Sequence, residues 1–134
     1  MRKALGTHVL LELFQCEPKK LEDRDYVAKV LVKAAKKAKA KIVDTFFHQF
    51  NPTGVSGIVV IEESHFTVHT WPEHGFVAID FFFCSEKVDI QEAVNVIRQS
   101  FEPGYMSFLE VKRGILPLGK PSGAPLGRIP AGVS

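Results

Sequence analysis

Gly57-Ile58-Val59-Val60-Ile61-Glu62-Glu63-Ser64-His65-Phe66-Thr67-Val68-His69-Thr70 joins two hydrophobic, β-rich runs through a short acidic corner. Gly57 to Ile61 is a continuous Ile/Val run, the pattern of a strand buried on both faces. β character resumes from Phe66 to Thr70, so the two runs pair as a hairpin about Glu62-Glu63-Ser64. Turn chemistry brackets the pair. Asn51-Pro52-Thr53-Gly54 precedes it, with Pro fixing φ and Gly accepting positive φ, and Pro72 to Gly75 turns the chain after it. Phe76 to Phe83 then reads as a second apolar strand broken only by Asp80.

Farther out, Val9 to Phe14 is strand-length and apolar, punctuated at Pro18. Asp23 or Asp25 caps a helix from Tyr26 to about Lys39, in which Val27, Val30, Leu31 and Ala34 recur at helical spacing. Lys41 to Phe50 is β-rich. Asp89 caps a second helix over Ile90 to Ser100, and Gly104 leads into a last strand, Tyr105 to Val111. The order is β-α-β-β followed by β-β-α-β, loosely mirrored about Ser64. It predicts an α+β fold, a two-layer α/β sandwich with a mainly antiparallel sheet and two helices on one face. The other face is then apolar and needs a partner. Residues 1–113 form a single domain. Gly114 to Ser134, with four Pro and five Gly, is expected to be a mobile or draped tail.

A chain of 134 residues with 46% hydrophobic content is long enough to bury a core without staples. Lys+Arg of 17 against Asp+Glu of 15 leaves a net charge of +2, too little to imply nucleic acid or an anionic membrane as a partner. The lysines between Lys33 and Lys41 alternate with Ala as the solvated face of a helix does. Cys16 and Cys84 make neither a disulfide framework nor a Cys-rich metal site, which points to reduced cytoplasm. Met1-Arg2-Lys3-Ala4-Leu5 meets polar residues by Thr7, so no signal-peptide core develops, and no apolar run is long enough to span a bilayer.

The corner also carries chemistry. In a tight connection the Ser64 hydroxyl is one five-membered ring away from the Glu63 carbonyl. Attack there converts the peptide bond to an ester, and β-elimination leaves a dehydroalanine that hydrolyses to a pyruvoyl group. Read residue by residue, alternatives stay open: Ser64 and Ser56 are also ordinary turn serines, His69 a strand histidine, and Cys84 a packing cysteine. His65, His69 and His74 do not make a metal site, because the pair in β sequence lacks a third ligand at suitable spacing.

Gly6-Thr7-His8, Gly54-Val55-Ser56-Gly57, Glu63-Ser64-His65, His69-Thr70-Trp71-Pro72-Glu73, Cys84 and Lys112-Arg113-Gly114 occur in one order along most of the chain. In this the sequence resembles the prokaryotic S-adenosylmethionine decarboxylase proenzymes, pyruvoyl enzymes that supply the aminopropyl donor for spermidine synthesis. The resemblance implies cleavage between Glu63 and Ser64, a covalent pyruvoyl cofactor made from Ser64, and a homodimer packed sheet on sheet. It implies that His69 is the processing base and Ser56 its hydrogen-bonding companion, and that Cys84 returns a proton to the decarboxylated substrate. Phe50 and Glu73 correspond to the adenosine contacts, which suits an adenosyl sulfonium that needs aromatic surface and a carboxylate for its ribose. Cys16 has no counterpart and is read as packing. A pyruvoyl-dependent arginine or ornithine decarboxylase is the nearest alternative. An unprocessed, non-catalytic dimerising regulator would require the loss of Ser56, Ser64, His69 or Cys84, and all are present.

Overall fold

A computed structural model describes residues 3–116. Six strands form one antiparallel sheet in the order β2-β3-β4-β5-β1-β6: β1 (Lys3–Phe14), β2 (Ile42–Gln49), β3 (Val55–Ile61), β4 (Ser64–Trp71), β5 (Phe76–Phe83) and β6 (Tyr105–Leu116). Among the described residues the helices are α1 (Pro18–Leu21), α2 (Arg24–Lys37) and α3 (Ile90–Phe101), with one 3-10 turn at Pro72–His74. The expected α+β sandwich and the β-α-β-β/β-β-α-β order are both present.

The helices start where their caps dictate. Asp23, not Asp25, accepts from the Tyr26 amide at 3.1 Å, and Asp89 accepts from the Glu92 amide at 3.3 Å, each satisfying a donor that the first turn leaves without a partner. The apolar stripes Val27-Val30-Leu31-Ala34 of α2 and Ala93-Val96-Ile97-Phe101 of α3 join one core with Val9, Leu11, Leu13, Val59, Phe66, Val68, Val77, Ile79 and Phe81. One buried hydroxyl belongs to this layer. Thr70 Oγ1 donates to the Leu21 carbonyl at 2.7 Å and accepts from the Val55 amide at 2.9 Å, so it is fully paired.

Several expectations are corrected. Gly57–Ile61 is not buried on both faces: Val59 and Ile61 face the helices, whereas Ile58 and Val60 are only half-covered, and the apolar run Phe76–Phe83 alternates likewise, with Val77, Ile79 and Phe81 toward the helices and Ala78 and Phe82 half-covered. The stripes of α2 and α3 lie on one side, so among the described residues the helices cover one face. Gly57 interrupts its apolar run because the Phe47 ring lies where a Cβ at that position would project. β1 begins at Lys3 rather than Val9, and β6 continues to Leu116 rather than Val111, because the two strands pair with each other from Lys3↔Leu116 to Phe14↔Tyr105. Thr7, His8 and Lys112 are accommodated in this ladder because the sheet there is partly open to water. Gly114 to Leu116 thus belong to the sheet, and the rest of the expected tail lies outside the described residues. The α1 turn, signalled only by Pro18 at its first position, was not expected.

Phe81 is fully buried with its ring edge-on to Phe66 at 4.6 Å, whereas Phe46 on the outer strand is 65% exposed. In urea unfolding, Phe81→Ala is expected to lose about 3–5 kcal/mol, and Phe46→Ala to change stability by about 0.5 kcal/mol or less.

Candidate functional site

Ile61 pairs directly with Ser64, leaving Glu62 and Glu63 as the two-residue corner of the β3–β4 hairpin. Ser64 sits at φ 151°, a backbone state that L residues rarely adopt and that costs roughly 1–3 kcal/mol. The corner is held from both sides. Toward the outer strand, the Glu62 amide donates to the Lys41 carbonyl at 2.9 Å, and the Lys41 amide donates to Glu63 Oε1 at 3.2 Å. Toward the sheet centre, Ser64 pairs with Phe83, which delivers Cys84, the first residue past β5, to the same corner.

There the Glu63 carbonyl oxygen accepts two hydrogen bonds, from the Cys84 amide at 3.0 Å and from the Cys84 thiol at 3.0 Å. Two donors on one carbonyl polarise it and stand ready for the negative charge that nucleophilic attack would place on its oxygen. Cys84 is exposed, whereas Cys16 is buried. Burial pushes the Cys16 thiol up to about 11, against a smaller opposing pull from the Lys20 ammonium. The packing reading of Cys16 therefore agrees with its surroundings.

Ser56 and His69 are cross-strand partners, with Ser56 Oγ at 2.7 Å from His69 Nδ1. A bond that short fixes the ring and, when the hydroxyl donates it, leaves Nε2 to carry the proton. Around this pair lie Trp71, with its ring 6.4 Å from that of His69, and the turns bearing Phe50 and Glu73. The Phe50 turn is closed by its own amide donating to the Gly54 carbonyl at 2.8 Å. Its ring sits edge-on to His48 at 4.7 Å and is 48% exposed; Glu73 is exposed on the 3-10 turn after β4.

The structure thus gathers the expected residues into two groups rather than one. Glu63, Ser64 and Cys84 occupy one end of β4; Ser56, His69, Phe50 and Glu73 occupy the other. His69 is five residues from Ser64 along an extended strand, a separation of roughly 17 Å. Sequence spacing alone concealed this, because five residues are close in sequence but distant in a strand. Reasoning from the sequence also missed the Lys41 backbone that anchors Glu63, and a cavity of about 890 Å³ beside Cys84 whose walls include Leu5, Thr7, Val88, Glu110 and Lys112. It missed too the half-buried cluster in which Asp80 receives Thr67 Oγ1 at 3.0 Å and lies 3.1 Å from His8 Nε2. Alternation along paired strands is the only sequence signal that could have placed those three side chains together.

Comparison with known proteins adds three findings. A family model described as S-adenosylmethionine decarboxylase matches residues 7–114. Among curated proteins, the chain is similar to the S-adenosylmethionine decarboxylase proenzyme of Thermodesulfovibrio yellowstonii, 52% identical over 113 residues and covering 84% of each chain. It is 46% identical over 112 residues to the proenzyme of the same description from Caldicellulosiruptor saccharolyticus, covering 84% of this chain and 90% of that one. Among solved structures it is similar to the adenosylmethionine decarboxylase of Aquifex aeolicus, with a TM-score of 0.80 at 28% identity over 90% of this chain and 99% of the other.

The two thiols are expected to differ sharply in reactivity. With iodoacetamide at pH 8, native protein takes up label at Cys84, while Cys16, titrating about 11, is spared until the chain is unfolded. Equal labelling of both in the native protein would contradict the burial assigned to Cys16; peptide mass mapping reads the difference.

Proposed function

The chain belongs to the S-adenosylmethionine decarboxylase family, and we propose that it matures by cutting itself between Glu63 and Ser64, converting Ser64 to the pyruvoyl group with which it decarboxylates S-adenosylmethionine. The observation that carries this reading is the Glu63 carbonyl, held by two hydrogen bonds from Cys84 beside a serine at φ 151°. Attack of Ser64 Oγ on that carbon breaks the Glu63–Ser64 peptide bond and leaves an ester, with the Cys84 amide and thiol bearing the charge on oxygen. Relief of the strained backbone at Ser64 favours the rearrangement. Removal of the Ser64 Cα proton by His69 then expels the Glu63 carboxylate, and water displaces ammonia from the resulting dehydroalanine.

A backbone carbonyl group at position 64 fits this corner, since the donors that serve cleavage remain beside it. Once formed, such a group supplies an electron sink for the pair left by departing carbon dioxide. Side chains from both ends of β4 do the rest. Phe50 and Glu73, which share the far end of β4 with His69 and so reach this group from a second copy, hold the adenosyl group, the ring against its purine and sulfonium and the carboxylate against its ribose hydroxyls. The exposed Cys84 thiol returns a proton to the substrate α-carbon. Aminopropyl-bearing decarboxylated S-adenosylmethionine, the donor for spermidine synthesis, is the product. Two unpaired cysteines suit action in the cytoplasm.

The roughly 17 Å between Ser64 and the Ser56–His69 pair means that His69 acts on another chain's corner. Two copies packed open face to open face, related by a two-fold axis, lay one end of β4 over the other end of its mate. His69 of the partner subunit then meets Ser64, and each homodimer contains two complete sites.

Three measurements test this reading. Wild-type protein is expected to release labelled carbon dioxide from carboxyl-labelled S-adenosylmethionine, and Ser64→Ala to release none; turnover of arginine or ornithine instead would overturn the substrate assignment. Ser64→Ala and His69→Ala chains should each stay whole when made alone. In a co-expressed mixture the His69→Ala chain should be cut, because its mate supplies the histidine; a mixture in which it stays whole would place the base within the same chain. Glu73→Gln should still be cut, but should bind substrate more weakly by about 1.5–3 kcal/mol, read as a raised KM.

A further inference from the structure

β6 is an edge of the sheet: β1 is its one strand neighbour among the described residues. Its outward amides and carbonyls therefore form an open row that can pair with another strand. The two edges of the sheet differ in this respect. β2, at the opposite edge, is blunted by a register shift between Ile42 and Asp44, the kind of irregularity that turns an edge away from pairing. β6 runs in continuous register with Phe14 to Gly6 from Tyr105 to Arg113, and its own irregularity, Gly114 at φ 64°, leaves Leu109 to Arg113 as the regular stretch about Val111. It is also 12 residues long, contains no proline, and exposes Tyr105, Phe108, Leu109 and Val111.

The charges of β6 single out one occupant. Glu110 and Lys112 oppose Val9 and Thr7 of β1 and so face the helix side of the sheet. They lie 3.5 Å apart within the strand, with Val111 between them. In an antiparallel pair related by a two-fold axis through Val111, Glu110 of one copy stands opposite Lys112 of the other, twice over. Axes through Glu110 or Lys112 would instead set like charges against each other, and an axis through Leu109 would set Glu110 against Phe108. Any axis through a residue position keeps the helix layers of both copies on the same side.

We propose that the free edge of β6 pairs with β6 of a second copy, antiparallel and centred on Val111, joining two sheets into one continuous sheet. This contact uses the strand edge rather than the open face, so it is independent of the face-to-face homodimer and compatible with it. Sheet hydrogen bonds supply the affinity, and the two Glu110–Lys112 pairs set the register.

The test is the mass of the assembly in solution, by light scattering across a concentration series. Wild type is expected to reach twice the mass of Glu110→Lys, in which Lys faces Lys112 across the axis and association weakens roughly tenfold. The swap Glu110→Lys with Lys112→Glu should restore the larger mass. A second measurement covers an unstable variant: chains carrying Glu110→Cys or Lys112→Cys, on a Cys84→Ser background, are differently tagged and oxidised mildly. A disulfide should form between the two kinds of chain when mixed and not within either kind alone. Face-to-face packing cannot bring these helix-side positions together, so failure of the homodimer reading would leave this result untouched. Equal masses for wild type, single variant and swap, or no mixed disulfide, would overturn the proposal. So would a larger assembly that appears only after residues 117–134 are removed, since that would assign the edge to the chain's own C-terminal segment.

Discussion

The grip of Cys84 on the Glu63 carbonyl is the contact on which the rest of the site depends. Its two hydrogen bonds exist because Ser64 pairs with Phe83, so the end of β5 is fixed against the β3–β4 corner by the sheet itself. A slip of one residue in that register would turn the alternating side chains of β4 to the wrong faces and carry the corner away from the thiol. Register is strongly specified here. Phe66 and Phe81 are fully buried and opposite each other, and either one moved to the open face would forfeit its burial. Core packing and the alignment of the reacting bond are thus the same constraint.

The same sheet separates what one chain can do from what two can do. Strand geometry holds Ser56 and His69 together at 2.7 Å while keeping them about five strand residues, roughly 17 Å, from Ser64. No side-chain movement spans that gap. The half-covered face carries Ile58, Val60, Ala78 and Phe82 beside His8, Ser56, His65, Thr67, His69 and Asp80, so it is mixed rather than the apolar face expected from the sequence, and a second sheet packed on it would bring the separated halves of the chemistry together. On the proposed reading dimerisation and maturation are coupled, and an isolated chain would carry a strained corner without the base that resolves it.

Much of the fold was legible in the sequence because the signals were local. Asp89 before an apolar periodic run gave the start of α3, Asn51-Pro52-Thr53-Gly54 gave the β2–β3 turn, and the order of elements along the chain followed from the alternation of runs and turns, though the lateral order of strands in the sheet did not. The ends of β1 and β6 were not legible: Thr7, His8, Lys112 and Gly114 look like loop residues until each strand is known to pair with the other. The continuous apolar run Gly57 to Ile61 likewise suggested burial on both faces, whereas only alternate residues meet the helices. Of the candidate site, Ser64, Cys84, His69 and Ser56 were singled out by motifs, and their division between two ends of β4 came only from the register.

The central claim is that this backbone breaks at one bond and keeps a carbonyl group in place of a serine. The most direct measurement is the intact mass of purified protein, with and without a carbonyl-reactive hydrazine. The account predicts two polypeptides, residues 1–63 ending in an unmodified Glu63 carboxylate and residues 64–134 lacking an N-terminal amine and gaining one hydrazone. A single chain of 134 residues, or a C-terminal fragment that begins with an ordinary amino-terminal Ser64, would contradict it.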